Sequence, residues 1–79
     1  MTKTVIMPQL GMTMQEGTIN KWFFGEGDRA EKGKPLLEVT IDKGVVEIES
    51  PGTGILARII RKEGEVVPVT EALAFVEES

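Results

Sequence analysis

Leu36-Leu37-Glu38-Val39-Thr40-Ile41-Asp42-Lys43-Gly44-Val45-Val46-Glu47-Ile48-Glu49 is the stretch that decides how the rest of the chain is read. Two strand-like runs flank the short break Asp42-Lys43-Gly44. In the second run Val46 and Ile48 alternate with Glu47 and Glu49, the period of a half-buried strand. A three-residue hairpin loop is commonly a type I turn followed by a residue in the left-handed region, which Gly44 enters without penalty. Lys43 then sits at the apex with its ammonium in water. Taken alone, such a lysine is a solvated turn residue, and Asp42 favours the turn through its side-chain acceptor.

Outward from this hairpin, glycine and proline punctuate the chain every few residues, and no segment sustains helical spacing. The pattern predicts strands at Lys3–Met7, Gly17–Phe24, Leu36–Ile41, Val45–Glu49, Gly54–Ile60 and Ala72–Glu77, with short pieces near Asp28–Ala30 and Glu65–Val67. Regularly spaced short strands separated by turn signals read as an all-β sandwich or barrel. An internal repeat at an offset of 37 residues supports this: Gly17-Thr18-Ile19 aligns with Gly54-Ile55-Leu56, and Glu26-Gly27-Asp28 with Glu63-Gly64-Glu65. Trp22 aligns with Ile59, Ala30 with Val67, Leu36 with Leu73 and Val39 with Val76. Matching glycines demand matching turns, and matching apolar positions demand matching core faces. Two such halves pack as two related sheets, because neither can bury its apolar face alone. The predicted core is Ile19, Trp22, Leu36, Val39, Val46, Ile48, Leu56, Ile59, Leu73 and Val76.

Composition narrows the function. The 79 residues make one domain, 1–79, with a thin core and little room for an internal pocket. Histidine, cysteine and tyrosine are absent, which removes the usual general base, a thiol nucleophile and the commonest metal ligands. A self-contained enzyme is hard to build from what remains. The formal charge of −4 has mixed signs along the chain, unlike the basic stripe of a nucleic-acid binder. No apolar run approaches the ~20 residues that span a bilayer, and the first residues are too short for a signal peptide's apolar region. A cytosolic or organelle-matrix location fits. The glycines form no GxGxxG after a strand, so nucleotide binding has little support. Glu47 and Glu49 share a strand face and read as solvated surface. Trp22 reads as a core anchor, and Met7, Met12 and Met14 as possible core filler.

The repeat, the hairpin lysine and several flanking motifs together carry a resemblance. Asp42-Lys43, then Val46-Glu47-Ile48-Glu49-Ser50-Pro51-x-x-Gly54, resembles the lipoyl domains of 2-oxo acid dehydrogenase complexes. The start Met7-Pro8-Gln9-Leu10-Gly11-Met12-Thr13-Met14-x-Glu16-Gly17, and Trp22 followed by Glu26-Gly27-Asp28, look like those of pyruvate- and acetoin-type acyltransferase components. The match covers nearly the whole chain. It implies a flattened β-barrel, or sandwich, of two four-stranded antiparallel sheets with quasi-twofold symmetry, and lipoic acid in amide linkage to Lys43. It further implies a carrier of acyl groups and reducing equivalents whose partners are a lipoate ligase or lipoyl transferase, a thiamine-diphosphate-dependent decarboxylase, an acyltransferase core and a flavin-containing dihydrolipoamide dehydrogenase. The redox sulfurs would then belong to the cofactor, which reconciles a cysteine-free chain with thiol chemistry. On this reading the isolated domain is monomeric and forms the amino-terminal piece of a longer subunit.

The same resemblance assigns roles. Asp42 and Gly44 flank the attachment lysine, with Asp42 read either as a turn former or as part of the ligase's recognition surface. The loop Gln9, Leu10, Gly11, Met12, Thr13, Met14 and Glu16 lies beside the hairpin and helps the decarboxylase recognise its domain. Thr40 stands where the family usually has an acidic residue that helps present the lysine to the ligase. Ile41 replaces a usual Thr or Ser, Gly44 an alanine, and Thr70 the glycine expected opposite Gly33. Two other readings remain: a biotin carrier, whose lysine is flanked by methionines that this chain lacks, and an unmodified lipoyl-like interaction module.

Overall fold

A computed structural model describes residues 1–78. Eight strands follow one another: β1 (Thr2–Ile6), β2 (Glu16–Trp22), β3 (Arg29–Ala30), β4 (Pro35–Ile41), β5 (Gly44–Glu49), β6 (Gly54–Ile59), β7 (Val66–Pro68) and β8 (Ala72–Glu78). They form two antiparallel four-stranded sheets, ordered β1-β8-β6-β3 and β5-β4-β2-β7. No helix occurs among the described residues, so the predicted all-β architecture holds. The boundaries shift slightly: Met7 leaves β1 and Phe23-Phe24 leave β2. Pro68 sits on β7, an edge strand, where a missing N–H costs no ladder bond.

The 37-residue repeat sets the topology. β4 and β8 begin and end 37 positions apart and share one burial pattern, and β2 corresponds to β6 and β3 to β7. Each sheet therefore takes strands from both halves of the chain. The repeat extends to irregularities that no pattern of side chains announced. β2 skips Asn20 against β4, and β6 skips Ala57 against β8. β4 skips Leu36 against β5, and β8 skips Leu73 against β1. A bulge rotates the residues around it, which is how Leu36 and Leu37 both become buried where strict alternation would expose one.

The acidic turns explain themselves in the same way. Glu26 accepts the Ile59 N–H at 2.8 Å, and Glu63 accepts the Trp22 N–H at 3.0 Å, so each half holds the other's strand end. Gly27 and Gly64 have φ of 92° and 91°, and their N–H groups donate to Leu56 and Ile19. Asp28 and Glu65 accept the N–H of Gly25 and Lys62. Thr70, opposite Gly33 in the repeat, adopts φ 72° against the glycine's 87°.

Seven of the ten predicted core residues are buried: Ile19, Leu36, Val39, Ile48, Leu56, Leu73 and Val76. Trp22, Val46 and Ile59 are half-buried and pack against that core from its margin. Trp22 is thus a lid over the core, with its indole N–H donating to the Arg61 carbonyl at 2.9 Å. Val5, Met7, Met14, Ala30, Leu37, Val67 and Ala74 complete the interior.

Candidate functional site

The hairpin stands where the sequence placed it, with a tighter turn. Ile41 pairs with Gly44 and Thr40 with Val45, leaving two residues, Asp42 and Lys43, in the turn. Gly44 is already the first residue of β5, and its φ of 134° explains the glycine there. Asp42 and Lys43 are exposed, and Lys43 enters none of the ion pairs found among the described residues. Its amine is free to be acylated.

The base of the hairpin is fixed. Ile41 is half-buried against the core, and the fully buried Met7 packs beside it. Both converge on Gly17: a Cβ there would lie 2.9 Å from the Met7 sulfur and 3.5 Å from Ile41. Gly17 is therefore the space into which the hairpin's footing fits. On the outer face, the Asn20 amide donates to the Thr40 hydroxyl at 2.6 Å, so Thr40 is tied to β2.

The loop after β1 comes to the hairpin as expected. Leu10, Gly11, Thr13 and Met14 line a shallow recess with Ile41, Asp42 and Lys43. Glu16, Thr13 and Gln15 share a polar hollow with Asp42. The loop is tied from within: the Gln9 amide donates to the carbonyls of Gly11 (3.1 Å) and Met14 (2.9 Å), and the Leu10 N–H points at the Met14 sulfur. Two of the methionines that sequence grouped together part company. Met12 is 100% exposed at the loop's apex, whereas Met14 is only 6% exposed and anchors the loop instead of offering contact surface. Val45, 58% exposed beside the lysine, escaped the sequence reading; its outward strand parity was the available signal.

The motif Ser50-Pro51-x-x-Gly54 proves architectural. The buried Ser50 hydroxyl donates to the Gly52 carbonyl at 2.6 Å, and Gly54 lies against the β8 backbone so closely that a Cβ would fall 1.9 Å from the Glu77 oxygen. No group of three His, Cys, Asp or Glu able to hold a metal occurs among the described residues. The chemistry on offer is one presented primary amine on a rigid turn, beside a structured loop.

Comparison with known proteins agrees with that geometry. Residues 3–76 match the family described as Biotin-requiring enzyme (biotin/lipoyl). The chain is 39% identical over 69 residues to the dihydrolipoyllysine-residue acetyltransferase component of the acetoin cleaving system of Cupriavidus necator, covering 87% of this chain and 18% of that protein. It is 41% identical over 76 residues to the acetyltransferase component of the pyruvate dehydrogenase complex of Corynebacterium glutamicum, covering 96% of this chain and 11% of that one. The chain thus spans about a fifth or less of the length of such relatives. Among solved structures, the lipoyl domain of the 2-oxoglutarate dehydrogenase complex from Azotobacter vinelandii superposes with a TM-score of 0.72 at 22% identity, over 94% of this chain and 96% of that one. Kluyveromyces lactis urea carboxylase gives 0.82 at 17% identity, over 98% of this chain and 6% of that one. At these identities the superpositions speak for the fold alone.

Proposed function

The chain belongs to the biotin/lipoyl attachment family, and we propose that within it this is a lipoyl carrier whose Lys43 Nζ supplies the amide nitrogen for lipoic acid. The observation that carries the reading is the presentation of Lys43: exposed, unpaired among the described residues, and at the apex of a two-residue turn between the halves of the repeat. These residues fit the group, because amide formation needs a solvent-facing amine and nothing around Lys43 competes for it. When bound, the lipoyl group supplies the disulfide that takes up acyl groups and electrons, which this cysteine-free chain lacks.

The protein's own part is positional. The Met7–Gly17–Ile41 packing fixes where the arm begins. The loop from Gln9 to Glu16 gives a decarboxylase a surface to recognise beside it, with Met12 at its apex and Asp42 on the hairpin. A ligase or lipoyl transferase, the thiamine-dependent decarboxylase, an acyltransferase core and dihydrolipoamide dehydrogenase are the partners this reading requires. Relatives named as acyltransferase components of pyruvate and acetoin systems support it. Backbone similarity does not separate lipoyl from biotin carriers, but Asp42 and Gly44 beside the lysine, where biotinyl domains have methionine, favour lipoate.

The test is incubation with lipoate, ATP and lipoate ligase, followed by intact mass and peptide mapping. One lipoyl group is expected on Lys43 and none on the other five lysines. Lys43→Arg should remain unmodified. Inserting one glycine between Asp42 and Lys43 should leave the circular dichroism unchanged, since lengthening a loop costs little, yet slow modification sharply. Modification at Lys34 or Lys62, or undiminished modification of the inserted variant, would overturn the assignment.

A further inference from the structure

The seam between the two sheets is open on one side. β1 and β5 are edge strands, each hydrogen-bonded along one flank only, β1 to β8 and β5 to β4. Between them runs an open groove of about 350 Å³. Buried Val5 and Ile48 form its floor, and Ile6, Leu10, Glu47 and Pro51 stand along its walls. Ile6 is 42% exposed and Leu10 46%, so two large apolar side chains face water there. Leu10 also lines the recess against Lys43. Leu10 thus borders both the recess at the attachment lysine and the groove.

We propose that this groove is the resting site of the arm carried by Lys43, its carbon chain laid over Leu10 and its dithiolane end taken at the near mouth of the groove. The proposal rests on the reading that Lys43 is lipoylated. Its reach supports it. From the lysine Cα to the dithiolane ring is about eleven bonds, or ~14 Å extended at ordinary bond lengths and angles. Glu47 lies four residues along β5 from Lys43, ~13 Å at ~3.3 Å per residue. An arm laid over Leu10 brings its apolar end to the near mouth of the groove. An uncharged chain ending in a dithiolane also matches a floor of Val5 and Ile48 better than bulk water does. Docking there would shield the sulfurs between encounters and release them when a partner competes for the arm.

Two measurements on the lipoylated chain test this, with intact mass confirming modification first. In amide-resolved NMR, lipoylation should shift Thr4, Ile6, Ile48 and Glu49, a strand away from the turn, as well as Ile41–Val45. The second reads the phosphine-reduced arm, whose thiols are the only ones present because the chain has no cysteine. Iodoacetamide should alkylate it at least ~3-fold more slowly than in an Ile6→Glu variant, the ratio for an arm docked about two-thirds of the time. That substitution changes an exposed side chain and places a carboxylate opposite Glu47 and Glu49. Shifts confined to Ile41–Val45, together with equal alkylation rates, would overturn the proposal. Shifts of the groove amides on concentrating the unmodified chain would give the groove to a second copy and overturn it as well. A ligase reaction that leaves the mass unchanged would instead remove the carrier reading on which it stands.

Discussion

Gly17 and Gly54 occupy equivalent places in the repeat, but alanine at the two should have unequal consequences. At Gly54 an added Cβ would lie 1.9 Å from the Glu77 carbonyl oxygen, 2.7 Å from its carbon and 2.8 Å from the Glu78 Cα. All three atoms are backbone, so no rotamer change relieves the clash. β6 and β8 would have to separate by more than ~1 Å to reach ordinary contact distance. That separation breaks the ladder at Gly54↔Glu78 and Ile55↔Glu77, at about 1 kcal/mol per hydrogen bond, and opens the core beneath Leu56. With overpacking of ~1–3 kcal/mol added, the loss comes to ~3–5 kcal/mol, a large share of the ~4–12 kcal/mol that ~0.05–0.15 kcal/mol per residue gives a chain of 79 residues. At Gly17 the nearest atom, at 2.9 Å, is the sulfur of Met7. A thioether moves by rotation, and alanine also lowers the entropy of the unfolded chain by about 0.4–1 kcal/mol. Gly17→Ala should therefore stay within ~1 kcal/mol of the parent. Urea unfolding reads the contrast: a midpoint shift under ~1 M for Gly17→Ala and of ~3 M or more for Gly54→Ala, given m near ~1 kcal/mol/M. Similar midpoints for the two variants would refute the close approach of β6 to β8. Because Met7 and Ile41 share the Gly17 space, Gly17→Ala should also slow lipoylation of Lys43 while folding survives.

Other expectations follow from single residues. Thr70→Gly should raise stability by up to ~1 kcal/mol, since a left-handed non-glycine costs ~1–2 kcal/mol and part is returned through the unfolded state; a calorimetric melt should rise by a few degrees. Trp22→Ala should cost about 3 kcal/mol, toward the lower end for large aromatic truncations because the ring is half-buried, and Trp22→Phe about 1 kcal/mol for the lost bond to Arg61; both are read by denaturant midpoints. The Thr2 hydroxyl, at 2.6 Å, and the N-terminal ammonium hold the Glu77 carboxyl below its ordinary range. Its folded pKa being lowered, that contribution is present above the unfolded value near ~4.3 and is lost as pH falls through the folded one. Thr2→Val should narrow the difference in denaturant midpoint between neutral and strongly acid solution.

How far the sequence could be read follows from which features are local. Gly27 and Gly64, Glu26 and Glu63, and Asp28 and Glu65 form bonds within their turns or to the matching strand of the other half, so the repeat made them legible. The hairpin was legible for the same reason, Asp42, Lys43 and Gly44 being adjacent in the chain. The bulges were not. Nothing in Leu36-Leu37 says that one residue drops out of the ladder, and an alternation rule exposes one of the pair. The burial of Met14 and the half-burial of Trp22 depend on what lies across the sandwich, which no period encodes. The nearness of the Gln9–Glu16 loop to Lys43 came through family resemblance, and the groove between β1 and β5 came from neither source. It joins strands from distant parts of the sequence, and only the closed topology brings them together.

The symmetry also explains why the carrier lysine is single. The axis that exchanges β4 with β8 exchanges β5 with β1. Its image of the β4–β5 turn is the place where β8 meets β1, and no turn exists there: the Glu78 N–H donates to the Met1 carbonyl at 2.8 Å, and the amino terminus pairs with Glu77 at 3.5 Å. The β4–β5 turn therefore has no counterpart in the other half of a fold repeated down to its bulges, and the lysine occupies it. That connection lies far from the chain ends. β8 begins beside Met7, whose N–H donates to the Glu71 carbonyl and whose sulfur packs near Gly17 and Ile41 under the hairpin. Seven residues later, ~20 Å at strand rise, β8 reaches Met1. A tether joined at either end would leave from the face opposite Lys43, so an arm on the lysine and a tether would not compete for the same space. Moving the lysine-bearing turn to the β8–β1 end, by circular permutation that opens the chain between Asp42 and Gly44, should preserve the two sheets and place carrier and tether positions in each other's stead. If the permuted chain, with Asp-Lys-Gly built between Glu78 and Met1, folds but is not lipoylated, the ligase reads more than a lysine on a β-turn. The Gln9–Glu16 loop and Thr40 beside the natural hairpin are then the residues to restore first.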